Sequence, residues 1–210
     1  MKKILIIALG LFVSGLAANA QSTNSLIRLG IKGGANFSNI IKDDGNNNFK
    51  TDYLVGYNAG LTLDIKLLEN LAFTPELVYS TKGYKNTYTI LGSEVKTTQR
   101  THFLEVPILA SIKLTEGLNF VLGPQVSFLL STDNKVENGM GTVQQTTDED
   151  SDKFKKSLLG GVIGARLDLS KNAGIFGRYA LDFQKNNENG TTTTPEFKNQ
   201  VFQVGLGLKF

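Results

Sequence analysis

A two-residue rhythm that returns eight times along the chain is the feature that most limits its fold. From Ile27 to Phe37 one face carries Ile27, Leu29, Ile31, Gly33, Ala35 and Phe37, and the other Arg28, Gly30, Lys32, Gly34 and Asn36. From Tyr53 to Lys66, Tyr53, Val55, Tyr57, Ala59, Leu61, Leu63 and Ile65 alternate with Leu54, Gly56, Asn58, Gly60, Thr62, Asp64 and Lys66. Segments near 71–84, 101–114, 118–131, 157–169, 174–184 and 200–210 repeat the pattern. Such alternation marks strands with two unlike faces. At about 10–14 residues each, they exceed the five or six usual in globular sheets.

The connections alternate too. Short ones, LLEN, TEG and SKNA, follow strands two, four and six, and polar stretches near 38–52, 85–99, 132–156 and 185–199 follow the others. A meander with every tight turn at one end is the form of outer-membrane barrels. The expected fold is all-β: an eight-stranded antiparallel up-and-down transmembrane β-barrel with short periplasmic turns and long extracellular loops.

Residues 1–20 read as a cleaved signal peptide: Lys2 and Lys3, an apolar run, then Ala18-Asn19-Ala20. The barrel domain is then 21–210. Without Lys2 and Lys3, 20 basic residues face 19 acidic ones, a net charge of +1. No basic run suggests nucleic acid as a partner, and the chain has no cysteine for disulfides or thiolate metal sites.

Alternation alone leaves open which face points inward. A soluble ligand-binding barrel would enclose the apolar set. That set is bulky on every strand: Leu104, Val106, Ile108 and Ile112 on the fourth, Phe120, Leu122, Val126, Phe128 and Leu130 on the fifth. An eight-stranded lumen is only just filled by side chains, so the apolar set is placed outward, in lipid. The opposite set is small: Gly56, Gly60, Thr74, Ser111, Gly123, Ser127, Gly164, Ala180, Gly205 and Gly207. Tyr53, Tyr57, Tyr79, Phe128, Tyr179 and Phe183 toward one rim, and Phe73, Phe120 and Phe210 toward the other, have the placing of two aromatic girdles. The ending VFQVGLGLKF, with Phe210 last, is similar to the C-terminal strand by which such barrels are recognised for assembly.

HFLEVPILASIK (102–113), NFVLGPQVSFLLS and GIFGRYALDF carry a resemblance. Phe103-Leu104-Glu105-Val106-Pro107, Gly123-Pro124 and Arg178-Tyr179 resemble the motifs of the PorT-like outer-membrane β-barrel domain family of Bacteroidota, and more distantly OmpA-like eight-stranded barrels. The likeness spans the whole mature chain and marks the barrel rather than an activity. It implies residence in the cell outer membrane; some relatives are linked to protein secretion, and many have no assigned role.

By parity, Arg28, Lys32, Asp64, Glu76, Glu105, Lys113, Arg166, Asp168, Arg178, Asp182 and Lys209 face the lumen. Lys32, Glu76, Glu105, Arg178 and Asp182 fall near mid-barrel and form the candidate charge network, in which Arg178 and Lys32 are expected to neutralise Glu76 and Glu105. Pro75, Pro107 and Pro124 each remove a ladder bond, and β-bulges are the expected remedy.

Catalytic chemistry has little to stand on. The single histidine, His102, has outward parity near the long-loop rim, with Thr101 beside it and no serine close in sequence. TTDEDSDK (146–153) departs from an EF-hand loop, because Lys153 takes the glycine position. KDDGNNNF (42–49) reads as a surface loop, and TTTTP (191–195) either extends a hairpin or stays disordered. The expected protein is not an enzyme and has no catalytic residue, cofactor or metal. Its partners are outer-membrane lipid and, through the long loops, an envelope or extracellular protein, with the barrel a monomer. A small porin-like channel is the alternative, and a barrel enzyme acting on lipid or peptide a weaker one.

Overall fold

The structure, a computed structural model, describes residues 26–42, 51–90, 93–138, 141–148, 155–186 and 196–210. The expected signal peptide, most of KDDGNNNF, the second half of the acidic run and TTTTP lie outside the described residues. Nine strands follow in order: β1 (Ile27–Lys42), β2 (Thr51–Leu68), β3 (Leu71–Ile90), β4 (Ser93–Lys113), β5 (Leu118–Asn138), β6 (Gly141–Asp148), β7 (Ser157–Asp168), β8 (Ala173–Asp182) and β9 (Phe197–Lys209). All pairings are antiparallel. The order β4-β3-β2-β1-β9-β8-β7-β5, closed by β4 against β5, is a ring of eight. Closure leaves no edge within the ring, so the backbone polar groups can be satisfied internally, as lipid requires.

β6 stands apart. It pairs with the upper half of β5, Thr132 to Asn138, while β7 pairs with the lower half, Leu118 to Phe128. The polar stretches expected as loops at 85–99 and 132–156 are therefore largely strand: β3 and β4 stay paired as far as Ile90 and Ser93, and β5 and β6 as far as Asn138 and Gly141. Thr87, Tyr88, Val95, Thr97, Thr98 and Val136 explain the extension. β-branched and aromatic residues favour strands whether or not an apolar face is present, and a search for apolar alternation passes over them.

The two faces differ as expected. Leu206 is 64% exposed, whereas Gln203, on the opposite face of β9, is 1% exposed. Ile31, Val55, Ile108, Ile163 and Val204 lie exposed on the outer surface, where only lipid can cover so wide an apolar band. Tyr179, Phe202 and Tyr53 form one aromatic arc on the long-loop rim, with centroids 4.8 and 6.4 Å apart. Tyr57, Tyr79 and His102 form another, each step 5.9 Å.

The interior is less uniformly small than its glycines and serines suggest. Val78, Phe103, Leu109, Val121, Leu158, Val162 and Val201 are all buried there. They pack the lumen around the charged side chains. Phe176 fits because Gly34 and Gly205 are directly paired across β1 and β9, and a Cβ on Gly205 would stand 2.7 Å from the Phe176 ring.

The prolines correct the expectation of bulges. Pairing lapses between Thr62↔Glu76 and Ile65↔Phe73, between Pro75↔Ile108 and Val78↔Glu105, and between Pro107↔Gln125 and Ala110↔Leu122. These gaps hold Pro75, Pro107 and Pro124 in turn, and register is the same on both sides of each. One donor is missing at each step, but no residue is inserted. Beside Pro124, the Ile108 carbonyl lies where a Cβ of Gly123 would stand 2.0 Å away. A side chain at 123 would collide with that backbone atom, so the close approach of β5 to β4 beside Pro124 requires glycine. The actual register shifts lie higher, between Tyr53 and Asn58, between His102 and Phe103, and between Val136 and Glu137, with one lower at Lys66.

Candidate functional site: a charged lumen in three levels

Strand alternation turns β1, β3 and β8 so that Lys32, Glu76 and Arg178 meet inside the barrel. Lys32 Nζ and Arg178 Nη1 each lie 2.7 Å from the same oxygen, Oε2 of Glu76. Arg178 Nε donates to Gln203 Oε1 on β9. The Phe176 ring lies 4.6 Å from Lys32 Nζ and 5.6 Å from the Arg178 guanidinium, so both cations also rest on a π face.

The second level sits on β3, β4 and β8. Here Lys82, which is not among the charges expected in the lumen, is central: its Nζ is 2.8 Å from Glu105 Oε1 and 3.2 Å from Asp182 Oδ1. Glu105 therefore does not pair with Lys32, as expected, but with Lys82. Lys32 joins Arg178 on Glu76. The signal for Lys82 was present in its even spacing from Glu76. Asp182 Oδ2 also accepts from Asn199 Nδ2 at 2.8 Å, and Phe103 covers Lys82 at 5.1 Å. Lys82, Glu105 and Asp182 are each no more than 1% exposed. The lower trio has one excess positive charge and the upper trio one excess negative charge, so the two together are neutral.

The third level closes the short-turn end. Asp64 accepts from Arg166 Nη1 and lies beside its Nη2, both at 3.1 Å. It also accepts from Thr74 Oγ1 at 2.9 Å. Asp168 holds Lys209 at 3.0 Å and Asn119 Nδ2 at 3.0 Å. Between this ring and the Glu76 level lies a cavity of about 40 Å³, lined among others by Lys32, Thr62, Thr74, Glu76 and Arg178. That is room for a few waters, not for a solute. Above the Lys82 level, Ile40, Tyr84 and Phe197 pack together inside the barrel.

Near the long-loop rim, the buried side chains of Asn36, Ser38 and Thr81 stand in for the ladder where β2 and β3 shift register. Asn36 Nδ2 donates to the Thr81 carbonyl at 2.9 Å and to Ser80 Oγ at 3.0 Å, Tyr57 N donates to Thr81 Oγ1 at 2.9 Å, and Gly83 N to Ser38 Oγ at 2.9 Å.

His102 lies on the outer face. Its Nδ1 is 2.6 Å from Tyr79 Oη and its Nε2 2.9 Å from Asp133 Oδ2. Thr101 is buried on the opposite face of β4 and is not its partner. The three side chains tie β3, β4 and β5 together where β4 and β5 shift register. Burial works to raise the Asp133 pKa, but the hydrogen bonds from His102 and Thr147 outweigh it and hold the carboxyl below its ordinary value.

The sequence match decides what kind of barrel this is. The family described as outer membrane protein beta-barrel domain matches residues 19–188. The chain belongs to this family. It is an outer-membrane β-barrel protein of a Gram-negative bacterium. Among solved structures, Neisserial surface protein A is similar at 13% identity and a TM-score of 0.44, over 89% of this chain and 98% of that one. Ail, the attachment invasion locus protein of Yersinia pestis, is similar at 14% and 0.45, over 87% and 98%. The N-terminal barrel of Pseudomonas aeruginosa OprF is similar at 9% and 0.41, over 89% and 98%. At TM-scores this low nothing is carried over from those proteins. A search of curated protein sequences returned no match.

Proposed function

We propose that this outer-membrane barrel is a closed scaffold with an interaction role in the cell envelope, presenting an extracellular β-structure to a protein partner. The observation that carries this reading is the uneven length of its strands. A barrel strand needs about 9–11 residues to span the membrane. β7, β8 and β9 have 12, 10 and 13 residues, whereas β3, β4 and β5 have 20, 21 and 21. The surplus raises a wall of β3, β4, β5 and β6 on one side of the rim, and among the described strands β6 has a neighbour only in β5. An edge of this kind suits strand addition by a partner.

The channel alternative is weaker, because charged pairs and bulky apolar groups occupy every level of the lumen. Within the family, the PorT-like group of Bacteroidota is the finer assignment. It is supported by the placing of its motif residues, with Pro107 and Gly123-Pro124 at the ladder gaps and Glu105 and Arg178 in the ion pairs. The chain is proposed to act as a monomer, bound to outer-membrane lipid.

The test is a photo-crosslinking side chain placed in living cells at Thr97 or Gln145 on the wall, with Leu206 on the lipid face as control. Protein adducts from the wall and none from Leu206 are expected. Adducts from neither wall position, in cells where the barrel is correctly assembled, would count against an interaction role.

A further inference from the structure

The short-turn mouth holds a feature that neither the barrel nor its wall explains. An open concavity of about 770 Å³ lies there, within the size range of ligand sites. Six basic side chains line it against three acidic ones. Two of the acids, Asp64 and Asp168, are already held by Arg166 and Lys209 in the ring that forms its floor. The third, Glu69, is exposed on the turn. Arg28, Lys66, Lys113 and Lys171 are exposed, and among the described residues none has a side-chain ion pair or hydrogen bond.

Arg28, Lys66 and Lys113 share the lumen-facing parity of Lys32, Asp64 and Glu105. Their outward neighbours Ile27, Ile65 and Ile112 meet the lipid. The cations therefore aim into the aqueous mouth rather than at headgroups. Like charges gathered in a walled concavity repel one another and focus a positive potential on whatever enters. They come from four separate places, β1, β2, β4 and the turn after β7, so a compact anion cannot meet them all. Three of the four are lysines, flexible point charges rather than the fork that grips a phosphate. A chain carrying several carboxylates suits this spacing, and the paired floor keeps it from passing further up.

We infer that the periplasmic mouth is a docking site for an acidic peptide segment of a periplasmic protein. This stands independently of the extracellular wall and of whether the lumen conducts. The probe is a fluorescent oligoglutamate peptide, followed by anisotropy on the full barrel refolded in uncharged detergent at low salt, with oligoglutamine as control. Oligoglutamate is expected to bind and oligoglutamine not. The variant R28Q/K66Q/K113Q/K171Q is expected to lose affinity by about tenfold or more, since each removed cation weakens the shared potential. K96Q/K135Q at the opposite end should bind as the parent does. If the fourfold variant does not refold, K113Q and K171Q singly should each weaken binding.

Absence of binding to the parent barrel, undiminished binding by the mouth variants, or an equal loss in K96Q/K135Q would each overturn the inference. So would displacement of the peptide by inorganic phosphate at matched ionic strength, which would indicate a compact-anion site.

Discussion

Glu76 holds two cations on one oxygen, and Lys82 holds two carboxylates on one nitrogen. In each trio the central residue is the one whose loss leaves two like charges buried together. Glu76→Leu and Lys82→Met are each expected to cost about 3–5 kcal/mol, the usual penalty for stranding a buried charge. Urea unfolding in lipid vesicles measures this. K82M/E105Q/D182N should recover most of the Lys82→Met loss, because no formal charge then remains at that level; a triple variant as unstable as the single one would mean that packing, not charge, holds it. Inward parity was legible for Lys32, Glu76, Glu105, Arg178 and Asp182, since it changes with every residue. Partnership was not. Lys32 and Glu76 stand 44 positions apart and Arg178 and Glu76 102, and which of them meet depends on register and tilt across several strands. Parity alone therefore does not distinguish Lys32 from Lys82 as the partner of Glu105.

At the scale of strands, the three proline gaps and the Gly123 contact predict an asymmetry. Gly123→Ala should destabilise the barrel, because its Cβ would meet the Ile108 carbonyl, a backbone atom with little freedom to move. Pro124→Ala should be tolerated or mildly stabilising, since it returns an N–H to a ladder whose register is already intact. Midpoints of heat-induced unfolding in detergent would separate the two.

The Tyr79–His102–Asp133 tie across the shifted register has its own pH signature. The Asp133 carboxyl titrates below the ordinary 3.8. Its stabilising contribution is therefore complete above that value and lost as the pH falls through the lower folded one. Asp133→Asn should flatten this part of the acid-stability profile and lower stability by a constant amount at higher pH. The strands themselves were legible in the apolar alternation of their membrane portions. Their upper halves were not, because solvent lies on both faces there and the two-residue contrast disappears.

For the whole molecule, ring closure and lumen filling are separate properties with separate origins. Alternation over eight segments and the short-long sequence of connections sufficed to predict the closed ring. How the lumen is filled depends on Phe103, Leu109, Val121, Val162 and Phe176, inward residues that look like interruptions in a small and polar set. Together with Lys32, Lys82, Arg178 and their carboxylates, they pack the lumen and leave a cavity of about 40 Å³ between the Glu76 level and the ring at the short-turn mouth.

Conductance tests this central claim most directly. In planar bilayers, barrels assembled from the intact chain should add no stepwise current at neutral pH, and K82M/E105Q/D182N should remain equally silent because Phe103, Leu109 and Val162 still fill the lumen. Regular, voltage-stable steps from the unmodified barrel would contradict a sealed scaffold and establish the channel reading in its place.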